Sequence, residues 1–437
     1  MIKKVLFSFA MVSLLFTASA QEPCATGRYA QEVFTNVDVT SDITYGANLN
    51  FSGSTKILKL DFYEPNGDTE QLRPLIFWVH GGSFLGGSKT DGDMVELSTR
   101  FAKMGYTCAS VEYRLGFFPI DSANAVKAVL RAVHDLKAAV RYFYKDAQDN
   151  GNSYKIDTNN IFIGGSSAGA ITALHYAYLD KTCEIGDYLS QSYLDSQGGT
   201  EGISGNPCYS TKVKGVINLC GALARYNWMD ADEVPLVSLH GTNDGTVGYN
   251  RQIVNPGVPL MYLDGSRMLW ERSNQIGVEH AFYTFHGAGH VPHATSTQYM
   301  DTTVNFVRDF LIGQMGCTNP PLQLANTPAQ IATLYSVVDC TTNNEWTACT
   351  SLGENALMDY SFNLFPNPAV NSVTLQFAFE EEVDAELIDL SGRVRMKYEK
   401  IPSGTDLNVS ELENGVYWLV VGSALGQQRT IKLAIQK

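Results

Sequence analysis

The chain has 437 residues, of which 44% are hydrophobic and 17% charged; this excludes intrinsic disorder and calls for more than one domain. A formal net charge of -14 excludes nucleic acid and anionic membrane surfaces as electrostatic partners. At the N-terminus, Lys3 and Lys4 precede the apolar run Val5 to Phe16, and Ala18-Ser19-Ala20 offers a small-residue cleavage site. Residues 1–20 are therefore expected to be a signal peptide whose removal leaves Gln21 first. The run is too short for a transmembrane anchor. Cys24 stands too far from the cleavage site for a lipid anchor, and no later segment is apolar for long enough to cross a bilayer.

Beyond the leader, strand and helix patterns alternate from Val33 to Gly313, the signature of an α/β fold with a mostly parallel sheet. Lys56–Tyr63, Pro74–His80 and Thr107–Tyr113 are predicted strands. Between Asp121 and Phe143, residues Val126, Val129, Val133, Leu136, Val140 and Phe143 recur at helical steps. Ile161–Gly165, Val213–Cys220, Pro235–His240 and His280–Phe285 are further strands, and Thr302–Ile312 a closing helix. Apolar residues on both faces of these strands imply helices on both sides of the sheet. Two polar stretches interrupt the alternation, Cys183 to Thr211 and Tyr249 to Asp264. Each is read as a cap or substrate loop, with surface decoration as the alternative. Cys317 to Ser361 has the texture of a linker. From Phe362 onward only short strands and turns occur, as in a small β-sandwich. The domain expectation is thus 1–20 signal, 21–316 catalytic, 317–361 linker and 362–437 C-terminal β-domain.

Eight cysteines in a chain with a signal peptide point to disulfides. Cys340 with Cys349, flanking a short polar loop, is the favoured pair, and Cys183 with Cys208 a second option. Cys108 and Cys220 lie in strand-like runs and read as buried thiols.

Gly165-Ser166-Ser167-Ala168-Gly169 follows the strand Ile161–Gly164 and precedes the helical stretch from Ile171 to Leu179. A strand-to-helix turn this tight strains the serine backbone and needs small residues two before and two after. Gly165 and Gly169 meet that need, placing Ser167 at the tip and near a helix N-terminus that favours negative charge. A serine hydroxyl requires a base, and the base an orienting acid. Asp244, just past the strand Pro235–His240, is the expected acid; a plain Asx-turn is the competing account. His290, at the apex of a glycine-flanked loop after the last strand, is the expected base, ahead of His286 and His293. A metal site built from these three histidines lacks a completing carboxylate or cysteine. Backbone N–H donors for an oxyanion are expected from Gly82, Ser83 and Ala168, the first two in the Gly-rich loop after the strand Pro74–Val79. His80 is read as a brace for that loop, His134 and His175 as structural. His240 and His280 have no clear role. Glu112 is a weaker acid candidate because it precedes the serine in the chain.

On these motifs, residues 50–313 resemble the α/β-hydrolase superfamily and, within it, the carboxylesterase and esterase/lipase branch. The matching elements are His80-Gly81-Gly82-Ser83-Phe84, Tyr113-Arg114-Leu115, the serine pentapeptide, Asp244 in His-Gly-Thr-Asn-Asp and His290 in Gly-Ala-Gly-His. Two positions depart from the pattern. Ser83 stands where relatives carry glycine, and Ser166 where they often carry Asp or Glu. Residues 362–437 resemble a C-terminal sorting domain of the type IX secretion system, through Phe365-Pro366-Asn367-Pro368, Leu390-Ser391-Gly392-Arg393 and Leu412-Glu413-Asn414-Gly415-Val416-Tyr417. An appended Ig-like or carbohydrate-binding module is the alternative for this region.

The first resemblance implies a serine carboxylic-ester hydrolase working through an acyl-enzyme, with no metal or organic cofactor. Its substrates would be small esters or acyl groups on polysaccharides or polyesters. Activity is expected to rise as His290 loses its proton. The second resemblance implies export from a Gram-negative cell through the type IX machinery, to the surface or the medium. Competing functions are a prolyl-oligopeptidase-type peptidase, disfavoured because only about 50 residues precede the hydrolase region where a propeller would stand, and a non-catalytic adhesion protein. Tyr188, Tyr193 and Tyr209 are candidates for lining a substrate pocket or for packing their own loop.

Overall fold

The computed structural model describes residues 27–317, 332–340, 363–377, 383–389, 393–423 and 428–437. The signal segment, Cys24, Cys349 and Leu390-Ser391-Gly392 lie outside them. Two compact units divide the chain, residues 1–348 and 349–437.

The first unit opens with strands β1 (Val37–Leu49), β2 (Thr55–Pro65) and β3 (Arg73–Val79). Helix α1 (Gly92–Lys103), β4 (Thr107–Val111), α2 (Ser122–Asp149), β5 (Ile156–Ser166) and α3 (Ala168–Tyr178) follow. The short helices α4 (Thr182–Ile185) and α5 (Gln191–Gln197) lead to β6 (Gly215–Leu219), β7 (Ala222–Leu223), β8 (Leu236–Gly241), β9 (Arg251–Ile253) and β10 (Tyr262–Gly265). Helix α6 (Ser266–Ile276), β11 (His280–Phe285) and α7 (Thr297–Gln314) complete the unit. An eight-stranded sheet runs β1-β2-β4-β3-β5-β6-β8-β11. Its first two pairings are antiparallel and the five from β4 to β11 parallel.

Strand β3 reads Arg-Pro-Leu-Ile-Phe-Trp-Val and is buried throughout, because helices cover both faces of the sheet. One apolar core joins Leu75 and Phe77 to Leu136 and Val140 of α2 and Leu174 of α3. The opposite core joins Ile76 and Trp78 to Leu97 and Phe101 of α1 and Val307 and Phe310 of α7. Alternate residues of a single strand therefore feed two cores, as the strand's two-residue period demands. Arg114, in the loop after β4, and Asp135 of α2 form a buried ion pair at 2.8 Å, 1% and 0% exposed. The Asp135 carboxylate also accepts from the Arg114 N–H and from Ser204 Oγ, so every strong acceptor of this buried charge is used.

The region read as a linker is described only at 332–340. There Ala332, Leu334, Tyr335 and Val337 pack on the first core. A disulfide joins Cys183 to Cys340 across 157 residues. This corrects both expected pairings, Cys340 with Cys349 and Cys183 with Cys208: local spacing favoured short loops, whereas the fold brings a distant strap against α4. Cys208 and Cys317 are also disulfide-bonded, and Cys108 and Cys220 are buried free thiols.

The second unit is all β: β12 (Asn363–Phe365), β13 (Ser372–Gln376), β14 (Val383–Ile388), β15 (Val394–Ile401), β16 (Thr405–Asn408), β17 (Gly415–Ser423) and β18 (Gln428–Ile435). Its sheets run β12-β13-β16 and β15-β14-β17-β18. Val373 and Leu375 of one sheet and Leu387, Leu419 and Leu433 of the other share one core, which is sandwich packing. No described helix is long and apolar enough to cross a membrane.

Candidate active site

Four loops converge at the carboxyl ends of the parallel strands, following β3, β5, β8 and β11. Ser167 lies between β5 and α3 with φ 54° and ψ −115°, a backbone region that L-residues occupy only under external constraint. The constraint is visible atom by atom. The Ser167 N–H donates to Leu219 O at 2.9 Å and its carbonyl accepts the Ile171 N–H at 2.9 Å. A methyl group on Gly165 would come within 2.4 Å of Val79 O, and on Gly169 within 1.9 Å of the same oxygen. Neither position has room for a Cβ.

His290 Nε2 lies 2.7 Å from Ser167 Oγ, and its Nδ1 2.6 Å from Asp244 Oδ2. The three side chains come from loops far apart in sequence, and the structure brings all of them together. Asp244 is buried. Its Oδ1 accepts the Thr246 and Val247 N–H groups, both at 2.9 Å. Burial pushes its carboxyl up, but hydrogen bonds and charge from His240 and His290 outweigh that and hold it well below the usual range. The Asx-turn of the competing account is therefore present on Oδ1, while Oδ2 faces His240 and His290.

The loop after β3 bends over the serine. Gly82, Ser83 and Phe84 have φ of 103°, 56° and 61°, and a Cβ on Gly81 would sit 3.4 Å from Ser167 Cβ. The Leu85 and Gly86 N–H groups donate to Gly82 O, both at 3.0 Å, which closes the turn. Ser83 and Ala168 share a cavity wall with Ser167; Gly82 stands one residue behind that wall. His80 stacks on Tyr113 at 4.4 Å with its Nδ1 2.8 Å from Gly81 O, and burial lowers its pKa. It touches the loop and not the serine, as a brace would.

Two further histidines lie against this cluster: His240, which has no role in the sequence reading, and His293, a rival there for the base. His240 Nε2 is 3.1 Å from Asp244 Oδ2. His293 Nε2 is 3.1 Å from Ser166 Oγ and 3.4 Å from Asp93 Oδ2, tying the His290 loop to the residue before Ser167. Burial raises the Asp93 carboxyl, and the bond to His293 more than reverses this. No spacing in the sequence links Asp93, Ser166 and His293; only the fold does. Glu112 pairs with Lys56 at 3.4 Å. The histidines at 290 and 293 face different carboxylates, Asp244 and Asp93. Cys220, His240 and Asp244 lie close together; His240 Nε2 faces Asp244 Oδ2 and its Nδ1 faces Ser266 Oγ, and burial drives the Cys220 thiol far up.

Ser167 opens onto a cavity of about 790 Å³, mouth included. Phe84, Phe117, Ile171, Leu179 and Trp228 form its floor and sides. Both interrupting stretches contribute to its walls: Ile185 and Tyr188 from the first, Val254, Leu260 and Leu263 from the second. Tyr193 and Tyr209 are not part of the lining; their rings receive Lys127 and Lys145. His175 reaches the cavity with both nitrogens engaged, Nδ1 on Ile171 O and Nε2 on the Ala224 N–H, and burial keeps it neutral down to about 4. Behind Leu263, Asp264 accepts Tyr335 Oη at 2.7 Å, Arg251 Nη1 at 2.8 Å and the Tyr226 N–H at 2.8 Å. The strap thus buttresses a cavity wall.

Residues 60–222 match the family model described as BD-FAE, and residues 363–436 the model described as Secretion system C-terminal sorting domain. The chain carries a BD-FAE domain followed by a sorting domain. Gut esterase 1 of Caenorhabditis elegans is 33% identical over 114 residues, 26% of this chain and 19% of that protein. Carboxylesterase 3B of Mus musculus is 33% identical over 123 residues, 28% of this chain and 20% of that protein. The chain thus spans about a fifth of these relatives' length. Among solved structures, a truncated carbohydrate esterase from gut microbiota aligns with TM-score 0.45 and 17% identity, over 65% of this chain and 98% of that one. The apo form of Thermogutta terrifontis esterase 2 aligns with TM-score 0.47 and 19% identity, over 67% and 99%.

Proposed function

We propose that the first unit is a serine carboxylic-ester hydrolase whose nucleophile, base and acid are Ser167, His290 and Asp244. The observation that carries this reading is the continuous relay Ser167 Oγ, His290 Nε2, His290 Nδ1, Asp244 Oδ2, with both links under 2.8 Å. Ser167 Oγ attacks the ester carbonyl carbon while His290 Nε2 takes its proton, and Asp244 keeps the other ring nitrogen protonated and stabilises the imidazolium. The carbonyl oxygen becomes an oxyanion received by the N–H groups of Ala168, Ser83 and Gly82, at the positive end of α3. Collapse of the adduct expels the alcohol, which leaves with the proton from His290. Water, deprotonated by the same imidazole, then attacks the acyl-enzyme and frees Ser167. No step calls for a metal or an organic cofactor.

The cavity favours an apolar acyl group. Its walls are hydrophobic, and its one histidine has no hydrogen bond left to offer; a polar acyl substituent would be stripped of water without replacement. The match of 363–436 to a sorting domain supports export through type IX machinery, and the disulfide fits an oxidising destination.

A p-nitrophenyl ester panel of increasing acyl length, run on the wild type and Ser167→Ala beside a fluorophosphonate label, tests the assignment. Hydrolysis and labelling that vanish together in Ser167→Ala are expected. A wild type that takes no label, or a variant that keeps its rate, overturns it.

A further inference from the structure

Beneath Asp244 a line of buried polar side chains crosses the core between β6, β8, β11 and α6. Asn218 on β6 is its centre and is fully buried. Its Oδ1 accepts the Gly221 N–H at 2.7 Å, which fixes which way the amide faces: a flipped amide would set two donors against each other. Asn218 Nδ2 must then donate, to Ser266 Oγ at 2.9 Å and Ser238 Oγ at 3.0 Å.

Each serine, having accepted, passes its own hydrogen onward. Ser266 Oγ lies 2.8 Å from His240 Nδ1, so that nitrogen accepts and the ring hydrogen is left on Nε2. His240 Nε2 faces two groups that can only accept, Asp244 Oδ2 at 3.1 Å and Val247 O at 2.9 Å. The other branch closes with equal consistency. Ser238 Oγ lies 2.8 Å from His280 Nε2, and His280 Nδ1 3.1 Å from Ser273 Oγ. Ser273 has already given its hydrogen to Leu269 O at 2.8 Å, so His280 Nδ1 must donate. Burial keeps His280 neutral, down to about 3. Starting from one backbone N–H, donor and acceptor roles propagate through two strands without a conflict.

Resting on the triad assignment above, we propose that Asn218 and His240 are positioning residues: the Asn218 amide sets the direction of the hydrogen-bond chain that presents His240 Nε2–H to Asp244 Oδ2. The same carboxylate oxygen receives His290 Nδ1. The core thereby holds Asp244 from below while its Oδ1 is held by the loop, and the carboxylate has one orientation in which to receive the base. His240 itself does not reach the cavity and touches no reacting atom.

Two measurements on the full chain test this. Selective ¹⁵N-histidine NMR, assigned with His240→Gln and His280→Gln, is expected to report the Nε2–H tautomer at 240 and the Nδ1–H tautomer at 280; the opposite form at 240 overturns the proposal whatever the enzyme hydrolyses. In ester hydrolysis, His240→Ala is expected to lower kcat by about 10- to 100-fold, the effect of losing one hydrogen bond to a charged group, with KM nearly unchanged. His240→Gln, which restores a donor at the Nε2 position, is expected to recover most of that loss. Should His240→Ala fail to fold, Ser266→Ala carries the test, since it keeps the ring and removes only the donor to Nδ1. A folded His240→Ala or Ser266→Ala within two-fold of wild-type kcat overturns the proposal, provided Asp244→Asn is strongly impaired in the same assay. If Asp244→Asn also keeps its rate, the triad assignment is what fails.

Discussion

Ser167 carries the strain of the site, and two glycines with no chemistry of their own make that strain possible. Gly169 is the more demanding, with Val79 O where its Cβ would stand at 1.9 Å. Gly169→Ala is expected to move the elbow or push β3 away, costing about 3 kcal/mol or more and abolishing phosphonate labelling. Urea unfolding beside active-site titration checks both effects, and a variant with unchanged midpoint and full labelling would show that the turn has slack. The requirement was legible in the sequence, because small residues at two fixed places around a serine are a local pattern. His240 and His293 were not legible. Each is a lone histidine whose partners, Asp244 and Ser266 for one, Ser166 and Asp93 for the other, come from loops and helices that only the finished sheet brings together.

At the scale of elements, the parallel strands were readable from continuous apolar runs, since both faces are buried. β11 is found at the expected residues, and the rest of the central strands within a few residues of expectation. β1 has no legible pattern: it is an antiparallel edge strand with most residues exposed, so burial imposes no period on it. α1 is not among the predicted elements, although Met94, Leu97 and Phe101 are buried at helical steps and carry a readable period. α6 buries only five of eleven residues, three of them polar or charged, and offers little to read. Arg114, in the sequence only one member of a motif, is the clamp between the β4 loop and α2. Removing its partner leaves an uncompensated buried cation, so Asp135→Ala is expected to destabilise the fold by about 3–5 kcal/mol. Chemical denaturation of the first unit would register that as a lowered midpoint, and a shift under about 1 kcal/mol would show that water reaches the guanidinium.

Over the whole molecule, stability should peak near neutrality, slightly on the acid side. Burial raises Glu184 to about 7 and Glu233 to about 8 from a usual 4.5. Between 4.5 and those values the folded chain keeps protons the unfolded chain has released, so these two groups lose stability as pH rises. Buried His175, His280, His134 and His80 are shifted down by burial. They act oppositely, adding stability as pH rises up to about 6.5, the unfolded value for histidine. Above about 6.5 the glutamates carry the change first, and toward pH 8.5 the buried thiols of Cys108 and Cys220, raised by burial, act in the same direction; the melting temperature is therefore expected to fall from pH 6.5 to 8.5, and the part of the fall below pH 8 to flatten in a Glu184→Gln, Glu233→Gln double variant. A melting temperature that keeps climbing to pH 8.5 would contradict this.

The Cys183–Cys340 bridge acts on the same scale. Chain entropy alone assigns a loop of this length up to about 5 kcal/mol, so Cys340→Ser is expected to lower the unfolding midpoint markedly, and to loosen the α4 side of the cavity. The sequence pointed to bridges but not to this one, because nothing local couples residues 157 positions apart.

That strap also fixes where the first unit can be trimmed. Its aromatic Tyr335 and its acid Asp339 engage Asp264 and Asn227 directly, well past the last residue of α7. A stop codon after residue 331 would free the Cys183 sulfur and withdraw a donor from the fully buried Asp264; one placed a little beyond Cys340 would keep both. The shortest self-sufficient version of the first unit therefore ends beyond the bridge and not at its final helix.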